Sequence, residues 1–355
     1  MRTAEFDFEL PPELIAQQPL ERRDRSRLLV VDRKRETLLH RRFSDLPTLL
    51  EPGDLLIHNQ TRVIRARIFA RKPTGGRVEI LLLRQRDSRT WEALVGGKRV
   101  RPGLTLTLLD GPDGAPADAK ASVVEQGEQA VRVLQFDRPV LPLAEEIGVT
   151  PLPPYIHQTL DDDERYQTVY ARQPASAAAP TAGLHFTPEL LLQLRDMGIR
   201  SEFVTLHIGL DTFQPVREEH IEAHRMHTER CSLQPDVARR VNQTKLEGHR
   251  VVAVGTTAVR VLETAAIRAT QGDDCPASCP WQTVAPFEGE TDLFIYPGYR
   301  VRAVDALVTN FHLPRSTLLM LVAAFAGKEL IDRAYAEAIA HRYRFYSFGD
   351  AMLIL

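Results

Sequence analysis

Histidine carries the clearest chemical signal in this 355-residue chain, because five of its eleven histidines fall between His185 and His227. Imidazole is the side chain whose ordinary pKa lets it take or give a proton near neutral pH. His185 closes the stretch APTAGLHFT (Ala179 to Thr187), and His207 opens LHIGLDTFQPV (Leu206 to Val216). Asn310 and His312 lie in TNFHLPRSTLL (Thr309 to Leu319). Each stretch is polar, carries Gly or Pro, and abuts a helix or strand signal, so the loops are expected to converge on one site, with Asn310 and His312 exposed. His220, His224 and His227 are spaced by four and three and on a helix would share one face, as metal ligands do. No adjacent Cys or carboxylate pattern completes such a set, and the expectation is no metal.

The elements that must position these loops are legible from periodicity. Thr187 is a good N-cap, Pro188 suits the first helical turn, and Leu190, Leu191 and Leu194 supply an apolar face. The loop before this helix therefore feeds free N–H groups able to meet an anion or a polar ligand. VAVGTTAVR (Val252 to Arg260) reads as a buried strand, a Gly turn and a Thr-capped helix, the place where open α/β sheets bind ligands. Helix and strand signals alternate from about Pro188 to the end, implying a mainly parallel sheet flanked by helices. Between about Arg62 and Asp137 the pattern changes to six short strand-like runs, separated by Gly- and Pro-bearing turns. That pattern predicts a small antiparallel β-barrel. The expected architecture is α/β, with residues 1–61 and 151–355 forming a discontinuous domain and residues 62–150 an inserted barrel.

Several activities lack their signatures. There is no GxxxxGK[ST], no GxGxxG after a strand, no HExxH and no GxSxG. Cys231, Cys275 and Cys279 are an odd, sparse set that suits a reducing compartment, and no second pair accompanies the last two as metal ligands would require. No run approaches the ~18 apolar residues of a membrane span, and the N-terminus lacks a signal-peptide pattern, so a cytoplasmic location is expected. Net charge is −2, yet Arg62 to Arg101 holds 12 basic and 3 acidic residues. A basic insertion on an otherwise acidic chain points to a polyanion. In RVIRARIFAR, strand alternation would place Arg65, Arg67 and Arg71 on one face and Ile64, Ala66, Ile68 and Ala70 on the other.

Taken together, FDFELPPELIAQQPLERRDRSRLLV, PGDLLIHNQTRVIRAR, PLPPYIHQ, DDERYQTVYA, APTAGLHFT, VTLHIGLDTFQPV, IEAHRMHTE, VVAVGTTAVRVLE, TDLFIYPGY, VDALVTNFHLPRSTLLMLVAAFAG and YRFYSFGDAMLIL run nearly the length of the chain. In them the sequence resembles the S-adenosylmethionine:tRNA ribosyltransferase-isomerase family of queuosine synthesis. Two positions depart from the pattern: Gln60 stands where Asp or Asn is expected, and Asp211 where Gly is expected. The resemblance implies an α/β domain with an inserted barrel. It also implies transfer and isomerisation of the ribosyl part of S-adenosylmethionine onto 7-aminomethyl-7-deazaguanine in tRNA, giving epoxyqueuosine, adenine and methionine. No cofactor beyond that co-substrate is implied, and a monomer is favoured.

Such chemistry needs a base, a donor for departing adenine and fixed dipoles for developing charge. His185 and His207 are the candidates for proton transfer, and Asp211 is a further catalytic candidate that could position the ribose or base. Thr181, Gly183, Phe186, Asn310 and His312 are expected at the substrate, and Thr256, Thr257 and Arg260 at the methionine carboxylate. Arg65, Arg67 and Arg71 are expected to meet the tRNA backbone. The competing readings are a different S-adenosylmethionine-dependent tRNA modifier, such as a methyltransferase, and a non-catalytic tRNA-binding protein.

Overall fold

Aliphatic runs such as residues 28–31 and Val251–Val254 set strands of the larger sheet. The computed structural model describes residues 1–209, 215–271 and 281–355. Among the described residues the strands are β1 (Arg27–Asp32), β2 (Thr37–Arg42), β3 (Leu55–Asn59), β4 (Thr61–Val63), β5 (Arg67–Arg71), β6 (Arg77–Gln85), β7 (Thr90–Val95), β8 (Thr105–Leu109) and β9 (Pro116–Gln126). They continue with β10 (Val131–Phe136), β11 (Gln173–Ser176), β12 (Arg200–Leu206), β13 (Glu229–Leu233), β14 (Val251–Val254), β15 (Phe287–Thr291), β16 (Ala306–Asn310) and β17 (Ala351–Ile354). The α-helices are α1 (Val140–Ile147), α2 (Pro188–Asp196), α3 (Pro235–Leu246), α4 (Thr256–Gln271), α5 (Thr317–Ala326) and α6 (Lys328–Ala340).

The chain divides into two units. The larger comprises Met1–Thr61, Pro154–Arg172 and Pro180–Leu355. Its sheet has the order β15-β13-β12-β3-β14-β16-β17-β1-β2. The centre, β12-β3-β14-β16, is parallel throughout. Strands β3 and β14 are buried at every position, as befits strands covered on both faces. Outside that centre only β17 and β1 pair in parallel; β16–β17, β1–β2, β12–β13 and β13–β15 are antiparallel. The sheet is therefore mixed, parallel at its middle rather than mainly parallel. The β1–β2 connection illustrates why: the four residues between these strands are enough for a hairpin and too few for a parallel crossover.

Beneath the sheet, Leu28, Phe43, Leu46, Leu56, Phe186, Leu190, Leu194, Val252, Val308 and Leu353 form one apolar cluster. Helix α2 joins it as its sequence dictates. The Thr187 side chain accepts the Leu190 N–H, Pro188 occupies the first turn, and Leu190 and Leu194 are the buried pair one turn apart.

The smaller unit comprises Arg62–Pro153 and Gln173–Ala179. Strands β5 to β10 close into an antiparallel barrel in the order β10-β7-β6-β5-β8-β9. Ala66, Ile68, Ala70, Ile80, Trp91, Ala93, Leu106 and Leu108 are buried, alternating along their strands with more exposed residues. Arg65, Arg67 and Arg71 fall on the outward alternation together with Phe69. The unit also takes in Gln173–Ala179, which the sequence reading assigned to the α/β part. The reason is a non-local pairing: β11 hydrogen-bonds β4, and the Ile64 N–H donates to Ser176 O at 3.0 Å.

Among the described residues, no helix is long and apolar enough to cross a membrane.

Candidate active site

The four parallel central strands end on one edge of the sheet, and each end delivers polar residues there: Asn59 to Thr61, His207, Gly255 to Thr257, and Asn310 to His312. Asn59 ties three of these ends together. Its Nδ2 donates to Leu206 O at 3.0 Å and Thr257 Oγ1 at 3.3 Å. Its Oδ1 accepts the N–H groups of Leu206 at 3.1 Å and Thr61 at 3.2 Å. Asn59 carries a sequence signal of its own, a polar residue closing the strand that begins with Leu55, Leu56 and Ile57. Gly255 has φ +88°, a conformation that favours glycine. A Cβ there would lie 3.6 Å from that of Ala182, so this turn lies against the 181–185 turn.

His185 sits at the end of that 3-10 turn, Thr181–His185, and is buried. Its ring stacks on Phe43 at 5.0 Å. Asn310 Nδ2 donates to His185 Nε2 at 3.2 Å, which leaves Nδ1 as the protonated nitrogen, 2.8 Å from Ser26 Oγ. Burial, reinforced by the Arg344 and Arg23 cations, pushes the His185 pKa down to about 3. The ring is thus a neutral, doubly engaged group. Asn310 spends Nδ2 on His185 and on Tyr346 O at 3.1 Å, while its Oδ1 is buried without a hydrogen-bond partner among the described residues. An acceptor stranded in this way is what a ligand N–H or a water would satisfy. A groove beside His185, lined by Pro19, Leu20, Arg23, Ser26 and Ser347 among others, has about 20 Å³ of free space. That holds one water, against the several hundred Å³ of a nucleoside-sized pocket.

His207 differs. It follows β12, is half-buried, and its Nδ1 lies 3.4 Å from Thr61 Oγ1. Its Nε2 makes no hydrogen bond among the described residues. Burial and then the Arg230 cation lower its pKa, so it is neutral at pH 7 with a lone pair to offer.

Several expectations need correction. Asn310 and His312 are buried rather than exposed. His312 is turned inward, with Nε2 2.8 Å from Thr309 Oγ1 and its N–H on the Tyr335 hydroxyl at 2.8 Å. Phe186 is a core residue, edge-on to Phe43 at 5.0 Å and His58 at 5.1 Å. Arg260 is buried against Glu229 and donates Nε to Leu293 O at 3.1 Å, so its fork is already occupied. Thr256 and Thr257 are buried at the start of α4, and Thr181 is half-buried. Asp211 lies outside the described residues. His220, His224 and His227 do not share a helix face, since Ile221–Ala223 is a single 3-10 turn and His224 Nδ1 pairs with Glu218 at 3.0 Å.

The basic stretch is less free than its sequence suggests. Arg67 pairs with Glu79 at 3.1 Å, and Arg84 and Arg86 with Glu92 at 2.8 and 3.0 Å. Two further partners, Asp113 for Arg77 and Glu125 for Arg86, come from outside the stretch.

Gly183 is required by close approach. A Cβ there would meet Tyr170 Oη at 2.1 Å and Thr168 Cγ2 at 2.8 Å, both on buried side chains. Gly183→Ala is expected to destabilise the protein by about 1–3 kcal/mol through overpacking and to displace the turn that carries His185. Urea unfolding of parent and variant measures this, and equal midpoints would show that the turn has room to spare.

A family model described as "Queuosine biosynthesis protein" matches residues 3–354. The S-adenosylmethionine:tRNA ribosyltransferase-isomerase of Symbiobacterium thermophilum is 53% identical over 361 residues, with 100% of both chains covered. The enzyme of the same name from Thermus thermophilus is 54% identical over 353 residues, covering 99% of this chain and 98% of that relative. The crystal structure of S-adenosylmethionine tRNA ribosyltransferase from Thermotoga maritima aligns over 99% of this chain and 100% of its own, at 41% identity and a TM-score of 0.55.

Proposed function

The chain belongs to the queuosine biosynthesis protein family, and from that premise we propose that it transfers and isomerises the ribosyl moiety of S-adenosylmethionine onto 7-aminomethyl-7-deazaguanine in tRNA. Epoxyqueuosine in the tRNA, adenine and methionine are the products. The observation that carries this reading is the family match over residues 3–354. S-adenosylmethionine serves as co-substrate, with no further cofactor, and the protein works as a cytoplasmic monomer.

The site's polar groups divide the labour. His207 is the base that removes the acidic proton beside the sulfonium, since its ring is neutral and its Nε2 has no partner among the described residues. Asp211, outside the described residues, is proposed to position the ribose or the base. His185, held by Ser26, positions Asn310, whose unpaired Oδ1 accepts an N–H of the purine or deazapurine. Thr181 and Gly183 shape the wall beside it. The methionine carboxylate goes to the N-terminus of α4 at Thr256 and Thr257, where free N–H groups and the helix dipole favour negative charge; Arg260, committed to Glu229, is left out. On the barrel, exposed Arg71 is the leading phosphate contact, with Arg65 and the ion-paired Arg67 behind it.

The test is incubation with S-adenosylmethionine and tRNA bearing the precursor base, read by nucleoside mass spectrometry. Epoxyqueuosine and one adenine per turnover are expected. Methylated RNA with S-adenosylhomocysteine would identify a methyltransferase, and RNA binding without adenine release a non-catalytic binder.

A further inference from the structure

Side chains from two distant parts of the sequence converge at one edge of the larger sheet: His40 on β2, and Glu337 and His341 on α6 and just past its end. Their ligating atoms all lie within 4.8 Å of one another. His40 Nε2 is 3.2 Å from Glu337 Oε1, and His341 Nδ1 is 3.2 Å from the same oxygen. Glu337 and His341 are one helical turn apart, so α6 presents them on one face. The His40 ring is oriented from behind, with Nδ1 2.8 Å from the Tyr343 hydroxyl. Tyr343 itself is buried, with the Arg27 guanidinium 4.2 Å over its ring. A histidine whose second nitrogen is held by a fixed partner, leaving the first to face a carboxylate, is the arrangement that outer-shell groups impose on metal-ligating histidines.

We propose that His40 Nε2, the Glu337 carboxylate and His341 Nδ1 bind a divalent transition-metal ion, with Zn²⁺ the best match. Two imidazoles and one carboxylate are a three-ligand zinc set, the fourth position taken by water. Nitrogen ligands favour zinc, nickel or copper over the all-oxygen preference of calcium and magnesium. Tetrahedral bonds of the zinc–nitrogen length place neighbouring ligand atoms ~3.3 Å apart, and two of the separations here are 3.2 Å. His341 Nδ1 also lies 3.2 Å from Glu337 O; on binding, its proton shifts to Nε2 and the lone pair turns to the ion. The site joins β2, which among the described residues is an edge strand paired only with β1, to α6. Its effect is to staple the sheet edge to the helix.

The test uses the full-length, tag-free, chelator-stripped protein titrated with zinc chloride by calorimetry and followed by thermal melting. Because other histidines and cysteines can take zinc, the readout is the difference between parent and the single variants His40→Ala and His341→Ala. The parent is expected to bind one more equivalent than either variant. At a hundredfold excess over its dissociation constant its melting temperature should rise by about 5 °C more than theirs. Glu337→Gln, an isosteric change on the helix, should lose the same equivalent and covers the case in which either histidine variant fails to fold. Equal stoichiometry and equal shifts in parent and folded variants would overturn the proposal.

Discussion

Replacing His207 with Ala is expected to lower kcat for adenine release by ~10²-fold or more, the usual contribution of a positioned acid–base group. The expectation follows from contrast with the other histidines on the same sheet edge. His185 has both ring nitrogens and His312 its Nε2 engaged inside the protein, and burial holds both near pKa 3. Burial disfavours protonation of both at pH 7, and His185 would in addition have to break a buried hydrogen bond. His207 is half-buried, and its Nε2 has no bond to break among the described residues. Its removal should leave stability within about 1 kcal/mol of the parent, whereas His185→Ala should destabilise by stranding Ser26 and Asn310. The measurement is single-turnover adenine release for both variants, with urea unfolding alongside. A His207→Ala enzyme that turns over at the parent rate would remove this residue from the mechanism.

Acidification is expected to produce the largest stability change. His58, His185 and His312 are all buried, and desolvation pushes each from 6.5 to about 3 in the folded state. Their folded pKa is depressed, so as pH falls through 6.5 the unfolded chain gains protons that the folded chain refuses. Stability is therefore full above pH 6.5 and declines continuously towards pH 3. At pH 5.0 each imidazole should have withdrawn about 2 kcal/mol, and the three together about 6 kcal/mol, a large share of what holds most domains folded. Carboxylates with depressed pKa values begin to lose their contribution only below about pH 5. Urea unfolding at pH 7.5 and 5.0 measures the slope. His312→Gln, which retains a hydrogen-bonding group opposite Thr309, should flatten it by about a third. A pH-independent free energy over this range would mean that the three rings are protonated in the native protein.

Local pattern determined much of this protein. Period-two alternation with Gly and Pro turns specified the barrel strands, and β5 to β10 close as that pattern predicts. Thr187, Pro188 and the Leu190–Leu194 spacing specified α2 and its buried face. Polar loops following apolar runs marked the sheet edge proposed as the site, and the motifs along the chain carried the family. These signals are legible because backbone conformation and facing direction depend on neighbours a few residues away. What each side chain does once it reaches the edge depends on partners that no spacing encodes. Glu229 takes Arg260 out of ligand binding, and Ser26 with Asn310 engages both nitrogens of His185. Asp113 and Glu125 neutralise part of a basic run from outside it, and β4 captures β11 for the smaller unit. His40 meets Glu337 and His341 across nearly three hundred residues. Burial and charge pairing are settled by which atoms share a volume after folding, so the polar edge proposed as catalytic was readable in the chain, while the state of each group on it was decided only by the tertiary structure.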